Sequence, residues 1–133
     1  MTTPSPSIPL QWRIQPELYA WFKSLAERLY MKPSDLIRSF LLRLKEGDPA
    51  VHNKVLKFIE FGLQQPRGNT MVARIRIASE LHNFLTDFVS PIHMEPIYRR
   101  WEVRPGHLLT GYIIYLRKNE SRCIRHGSIE IPL

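Results

Sequence analysis

The sequence predicts a mostly α-helical protein built from two strand–helix–helix units in one chain. Two observations lead to this prediction. A short alternation of apolar and polar residues is followed by two stripes of helical periodicity, and this order occurs twice. One such unit has only about 38 residues, which is too few to bury a hydrophobic core alone. The units are therefore expected to pair, either with each other or with copies from a second chain.

The first unit occupies residues 1–46 and begins with a predicted strand. Its apolar side chains recur at every second position, which places them on one face of the strand. They are Ile8, Leu10, Trp12 and Ile14. Pro16 then suits the first turn of a helix, and a second helix begins at Pro33 and ends near Gly47. The two helical stripes comprise Leu18, Phe22, Leu25 and Leu29, and then Leu36, Ile37, Phe40, Leu41 and Leu44.

Residues 47–68 are predicted to form a linker helix between the units. Asp48 suits an N-cap, and Pro49 follows it at the first helical position. The apolar stripe of this helix comprises Val51, Val55, Phe58, Ile59 and Leu63. About 17 helical residues would span about 25 Å, so we expect the helix to act as a spacer.

The second unit occupies residues 69–118 and repeats the order of the first. Its alternating strand residues are Met71, Ala73, Ile75 and Ile77. One helix is predicted to open at Ser79 or Glu80, and another at Pro105. Their stripes comprise Leu81, Phe84, Leu85 and Phe88, and then Leu108, Leu109, Tyr112, Ile113 and Leu116. An insertion is expected near 89–102, and the mixed tail, 119–133, holds a strand candidate at 129–131.

The two units align with each other, although the match is weak. The strand and first helix of the two units match at an offset of 63, and the second helices match at an offset of 72. Apolar positions stay apolar in nearly every aligned pair. The offsets differ by nine, so about nine extra residues in the second unit are assigned to the insertion.

Charge follows the same two-part organisation. The chain has 19 Lys and Arg against 12 Asp and Glu, which gives a net charge of +7. Residues 1–46 and 69–118 each hold seven basic and four acidic residues, so each segment contributes +3. This basicity predicts a polyanionic partner without specifying which one.

Composition argues against several classes of protein. A hydrophobic content of 44% is too high for a disordered tail, and the single cysteine, Cys123, excludes a disulfide framework and a cysteine-based zinc finger. No apolar run reaches the roughly 18 residues of a membrane span, and no secretory signal is visible, so a cytoplasmic protein with no membrane partner is expected. The histidines lack metal-ligand spacing, and no nucleotide loop, nucleophile elbow or carboxylate pair is present. We therefore expect neither an enzyme nor a metal or cofactor.

A family resemblance is carried by the strand Leu10–Ile14, the helix starts Pro16–Leu18 and Pro33–Arg38, and their counterparts Arg74–Ile77 and Pro105–Leu116. This ordered pattern, present twice, covers about two thirds of the chain and resembles the ribbon-helix-helix DNA-binding family (Arc/MetJ/CopG-like). The resemblance implies that two strands pair into a short antiparallel β-ribbon, with four helices forming the core behind it. It also implies double-stranded DNA as the partner, with the ribbon in the major groove.

Within that resemblance, the outward-facing strand positions are the candidates for reading bases. They are Gln11, Arg13, Arg74 and Arg76. Arginine can donate two hydrogen bonds to guanine, and glutamine can make two with adenine. Pro9 and Val72 occupy the remaining outward positions, where they could reach only sugar, backbone or a thymine methyl group.

Family members also hold DNA phosphates at the N-terminus of the second helix of each unit, where free N–H groups attract anions. The candidates here are Lys32, Ser34, Arg104 and Gly106. The sequence departs from the family pattern because Lys32 and Arg104 replace the usual small hydroxyl cap and because Asp35 would repel a phosphate. Lys32 and Arg104 are expected to compensate as side-chain phosphate ligands.

Two copies in one chain resemble the TraY-like members of the family and imply an intramolecular pseudo-dimer. Such a ribbon would carry Gln11 and Arg13 on one strand and Arg74 and Arg76 on the other, so its DNA site should be non-palindromic. In the competing arrangement, like units from two chains pair with each other. The sequence leaves this choice open, together with homo-oligomerisation on DNA.

The function expected from these features is sequence-specific binding of double-stranded DNA by a transcriptional regulator, typically a repressor. One alternative is an accessory protein of a relaxosome or of plasmid partition, which would bend a site with several repeats. Another is an antitoxin or protein-interaction module whose tail, 119–133, captures a protein partner.

Overall fold

The computed structural model describes residues 6–66, 68–94, 103–125 and 128–129, and helices dominate it. In chain order the elements are β1 (Ser7–Ile14), α1 (Pro16–Arg28), α2 (Pro33–Lys45), α3 (Pro49–His52), α4 (Val55–Leu63), β2 (Met71–Ala78), α5 (Ser79–Met94), α6 (Pro105–Lys118), α7 (Glu120–Cys123), β3 (Ile124–Arg125) and β4 (Ser128–Ile129). The prediction of a mostly helical chain with a short antiparallel sheet is confirmed. No helix in the described ranges is long and apolar enough to cross a membrane.

The strands β1 and β2 pair antiparallel within the one chain and together form the ribbon. The pairing runs from Ser7 opposite Ala78 to Ile14 opposite Met71. Burial alternates along both strands, so one face of the ribbon is covered and the other is open to solvent. The predicted alternation is confirmed. The buried side chains are Leu10, Trp12, Ile14, Ala73, Ile75 and Ile77.

The second helix of each unit packs against the strand of the other unit. Helix α2 lies against β2 and α5, whereas α6 lies against β1 and α1. The predicted stripes on α2 and α6 are buried throughout. Each unit therefore completes the core of the other, as two segments too small to bury a core alone must do.

Aromatic side chains fill the centre between α2 and α6. The rings of Phe40 and Tyr112 stack with their centroids 4.0 Å apart and their planes 10° from parallel. Phe58 of α4 lies edge-on to both, with centroid distances of 5.9 Å. Each such pair contributes about 1 kcal/mol beyond its buried area. The centre of the core thus joins both units and the segment between them.

Segment 47–68 is not the single spacer helix that the sequence predicts. It forms α3 and α4, separated by a turn at Asn53 and Lys54. Helix α4 packs so closely on α6 that a Cβ on Gly62 would overlap the carbonyl of His107, and one on Gly111 would overlap the carbonyl of Phe58. Because its apolar stripe is covered by α6, α4 is part of the core.

The insertion and the tail are described only in part. Helix α5 continues to Met94 and contains Pro91, so residues 89–94 of the predicted insertion are helical. Because proline has no backbone N–H, α5 lacks one helical hydrogen bond near its end. In the tail, β3 pairs with β4, which ends at Ile129. Residues 95–102 of the insertion, and 126–127 and 130–133 of the tail, lie outside the described residues.

Candidate nucleic-acid interface

The exposed face of the ribbon carries all four side chains predicted from the strand alternation. They are Gln11, Arg13, Arg74 and Arg76, and each is exposed. Ser7, Pro9 and Val72 complete this face, and Val72 is 49% exposed. The exposed positions of β1 and β2 include three arginines and no acidic residue, so this face is electropositive.

Gln11 and Arg74 face each other at the middle of the ribbon. In the amide orientation that satisfies both side chains, Gln11 Oε1 accepts hydrogen bonds from Arg74 Nε at 2.8 Å and from Arg74 Nη2 at 2.5 Å. This contact uses one edge of the guanidinium group. The N–H groups on its other edge are not used by Gln11 and suit a planar pair of acceptors.

The other two arginines are held by hydroxyl residues across the ribbon. Arg76 donates from Nε to Ser7 Oγ at 3.2 Å and from Nη2 to the Ser7 carbonyl at 2.7 Å. Arg13 donates from Nη1 to Thr70 Oγ1 at 3.4 Å, just before β2 begins. These contacts narrow the rotamers of exposed arginines, so less conformational entropy is lost when a ligand is bound.

The start of α2 holds the first pair of predicted phosphate ligands. Lys32 is exposed and Ser34 is half-buried in the first turn. The Lys32 N–H donates to Asp35 Oδ2 at 3.1 Å, and Arg38 donates to Asp35 Oδ1 at 2.9 Å. The hydrogen bond from Lys32 and the neighbouring Arg38 lower the pKa of Asp35. A carboxylate therefore already occupies the N-terminal position at which a phosphate oxygen would be held.

The start of α6 holds the second pair and differs in charge. Arg104 is exposed, and its N–H donates to His107 Nδ1 at 2.9 Å, so an imidazole replaces the carboxylate found at α2. A Cβ on Gly106 would lie 2.8 Å from Trp12 Cβ. The absence of a side chain at Gly106 thus lets α6 begin directly behind β1.

An open groove of about 760 Å³ connects the ribbon with the start of α6. Of the eight predicted ligands, Gln11, Arg13, Arg104 and Gly106 line it. The structure brings these four together. Lys32, Ser34, Arg74 and Arg76 are not among the described residues that line this groove.

Sequence reasoning missed the supporting residues around the arginines. Ser7 and Thr70 continue the two outward-facing series by one position each, so the same alternation could have identified them. Their pairing with specific arginines depends on the register of β1 and β2. The capping role of His107 follows from its place at the third helical position after Arg104, where a side chain can reach back to the N-cap N–H.

Within the described residues, no three His, Cys, Asp or Glu side chains form a group that could hold a metal ion. Comparisons of the chain with protein-family models, with curated proteins and with solved structures give no match. A function is therefore inferred from the geometry of the ribbon and of the two helix starts.

Proposed function

We propose that this protein binds double-stranded DNA sequence-specifically as a single-chain ribbon-helix-helix pseudo-dimer and acts as a transcriptional regulator. The observation that carries the proposal is the exposed face of the ribbon. Three arginines and one glutamine alternate there without an acidic residue, while the opposite face is built into the core.

The dimensions of a two-stranded ribbon match those of the DNA major groove. The groove is about 12 Å wide and admits a pair of strands. Because every second side chain points away from the core, the exposed face would meet base edges without unfolding any of the protein. Arginine and glutamine are the side chains best suited to the hydrogen-bonding patterns of guanine and adenine.

The helix starts would add contacts to the DNA backbone. Arg104 lies on the same groove as Arg13, so a phosphate near α6 would meet cationic side chains from two elements. At α2, Lys32 would have to bind phosphate through its ammonium group, because Asp35 occupies the Lys32 N–H. These contacts position the protein on the duplex, and the ribbon specifies the sequence.

Selection of sites from random duplexes, followed by binding titrations in rising salt, tests this proposal. Wild type should enrich one sequence, and log K for that sequence should fall linearly with log salt, because binding releases counterions from several phosphates. Replacing Gln11, Arg13, Arg74 and Arg76 together by alanine should abolish the preference for that sequence, a loss of about 100-fold or more.

A matched control removes the same number of positive charges from the helices. Lys23, Lys57 and Lys118 are exposed cations on α1, α4 and α6. Replacing these three by alanine should weaken binding to every duplex alike and leave the preference intact. If the ribbon variant keeps wild-type sequence preference, the ribbon is not the reader.

The regulatory role has its own test. The selected site is placed over a promoter and transcription is measured with purified polymerase. Repression by wild type, lost in the ribbon variant, is the expected result. Bending of a multi-repeat site without an effect on transcription would favour the architectural alternative instead.

A further inference from the structure

The register of the ribbon places a pseudo-two-fold axis between Gln11 and Arg74. The repeat offset of 63 makes Arg74 the equivalent of Gln11, and the structure pairs these two residues directly. One step outwards along the exposed face, Arg13 opposite Val72 is equivalent to Arg76 opposite Pro9. Each end of this face thus carries one arginine and one apolar residue.

Two further observations give the same axis. Ser7 and Thr70 are also equivalent at the offset of 63, so the bond from Arg76 to Ser7 is the counterpart of the bond from Arg13 to Thr70. In the core, Phe40 and Tyr112 are equivalent at the offset of 72, and they stack on each other. A residue that contacts its own equivalent lies on a two-fold axis.

The centre of the exposed face is where this symmetry is broken. Gln11 is neutral and Arg74 is charged. At the flanking positions, by contrast, the two strands carry the same types of residue: an arginine, a hydroxyl residue and an apolar residue. The Gln11 oxygen is already occupied by Arg74, so it is not free to accept from an adenine amino group. The remaining groups of this pair are donors, namely the Gln11 amide N–H groups and the outer edge of Arg74.

We infer that the preferred DNA site has matching outer half-sites and an asymmetric centre, an inference that rests on the proposed DNA-binding function. We also infer that Gln11 is a positioning residue for Arg74. Arg13 and Arg76 read the same base in the two half-sites. Arg74, held by Gln11, reads a guanine on one strand near the centre, because guanine offers two acceptors to a guanidinium edge.

Site selection with wild type and Arg74→Gln tests the symmetry. Wild-type sites should show the same bases at dyad-related flanking positions and a guanine on one strand at the centre. Arg74→Gln places glutamine opposite glutamine, so its selected sites should become palindromic through the centre. In parallel, Arg13→Ala and Arg76→Ala should each lose preference at one of two dyad-related positions, with losses that agree within about three-fold.

The positioning role is tested by two substitutions at one residue. Gln11→Ala should lower the preference for the central guanine on the order of 10-fold and leave the flanks unchanged, because Arg74 loses its orienting acceptor. Gln11→Glu keeps an acceptor for Arg74 and should restore the central preference, although the added charge weakens binding to every duplex. Thermal unfolding of each variant checks that the ribbon is intact.

The outcomes separate this inference from the proposed function. If wild type enriches a site whose flanks are unrelated, the symmetry inference is overturned while DNA binding stands. If Gln11→Ala removes an adenine preference and keeps the guanine, Gln11 is itself a reader and the positioning role is wrong. If no duplex sequence is enriched at all, the proposed function fails, and the inference fails with it.

Discussion

Asp35 and His107 occupy equivalent positions in the two units and cap their helices with different chemistry. Each accepts a hydrogen bond from the N–H of the residue three positions earlier, at 3.1 Å for Asp35 and 2.9 Å for His107. The carboxylate adds a favourable charge at a helix N-terminus, which the neutral imidazole does not. The helix start beside Arg104 is consequently the one better suited to an incoming anion.

The charge of Asp35 predicts a pH-dependent contribution to stability. The hydrogen bond from Lys32 and the neighbouring Arg38 lower its pKa from 3.8, so the folded protein binds this proton less readily than the unfolded chain. Asp35→Asn keeps an acceptor but no charge, and it should lower the free energy of unfolding by about 0.5 kcal/mol near neutral pH. The difference from wild type should shrink as the pH falls below 3.8.

Urea unfolding at about pH 7 and about pH 3 measures this difference. Asp87→Asn, at an exposed site in the middle of α5, controls for the general loss of a negative charge. If the free energy of unfolding differs between wild type and Asp35→Asn by the same amount at both pH values, the charge of the Asp35 cap contributes nothing to stability.

At the scale of elements, the crossing of α4 over α6 depends on two glycines. Glycine inside a helix normally costs about 1 kcal/mol relative to alanine. Here the backbones touch at Gly62 and Gly111, and a methyl group at either would overlap a carbonyl of the other helix. Close packing of the two helices outweighs the lost propensity.

Replacing Gly111 therefore reverses the usual effect of a glycine-to-alanine change. Gly111→Ala should force α4 and α6 apart and lower the free energy of unfolding by about 3 kcal/mol or more. Gly68→Ala is the matched control, because no atom lies within 4 Å of a Cβ built there. Denaturant unfolding distinguishes the two, and a Gly111→Ala protein as stable as wild type would contradict the observed contact.

Helix starts and the ribbon alternation were predictable because their causes are local. Pro16, Pro33 and Pro105 each begin a helix, because a missing N–H costs little at the first helical position and the fixed φ of proline suits it. The packing of α4 into the core was not predictable, because a glycine in a sequence indicates only a low helix propensity. Its role as a contact point appears when the facing backbone is known.

The candidate site was predictable to the same extent. A period of two identified the exposed arginines and Gln11 without any structure. The contacts that hold them required the register, which places Gln11 opposite Arg74 and brings Ser7 to Arg76. The register of β1 against β2 is set by packing between residues that are far apart in the chain. The alternation within each strand does not show which residues of the two strands face each other.

At the scale of the whole molecule, the second helix of each unit packs on the strand of the other unit. We therefore predict that neither half folds alone. Fragments 1–68 and 69–133 would each expose the apolar face of a strand and of its helices. We expect each fragment to lack a cooperative unfolding transition, and an equimolar mixture to regain helical circular dichroism and one transition.

A variant fragment provides the control for this reassembly. Phe40→Ala in the first fragment removes one ring of the central stack, which should weaken association by about 3 kcal/mol or more. A cooperative transition in either fragment alone would mean that the units are independent domains.

Because β1 pairs with β2 inside one chain, the stability of the ribbon does not depend on the protein concentration. A ribbon assembled from two chains falls apart by mass action when the protein becomes scarce. Tethered strands keep a fixed effective concentration, so this ribbon persists at any copy number. The two halves can also diverge separately, because a substitution such as one at Gln11 alters one strand and leaves its counterpart unchanged.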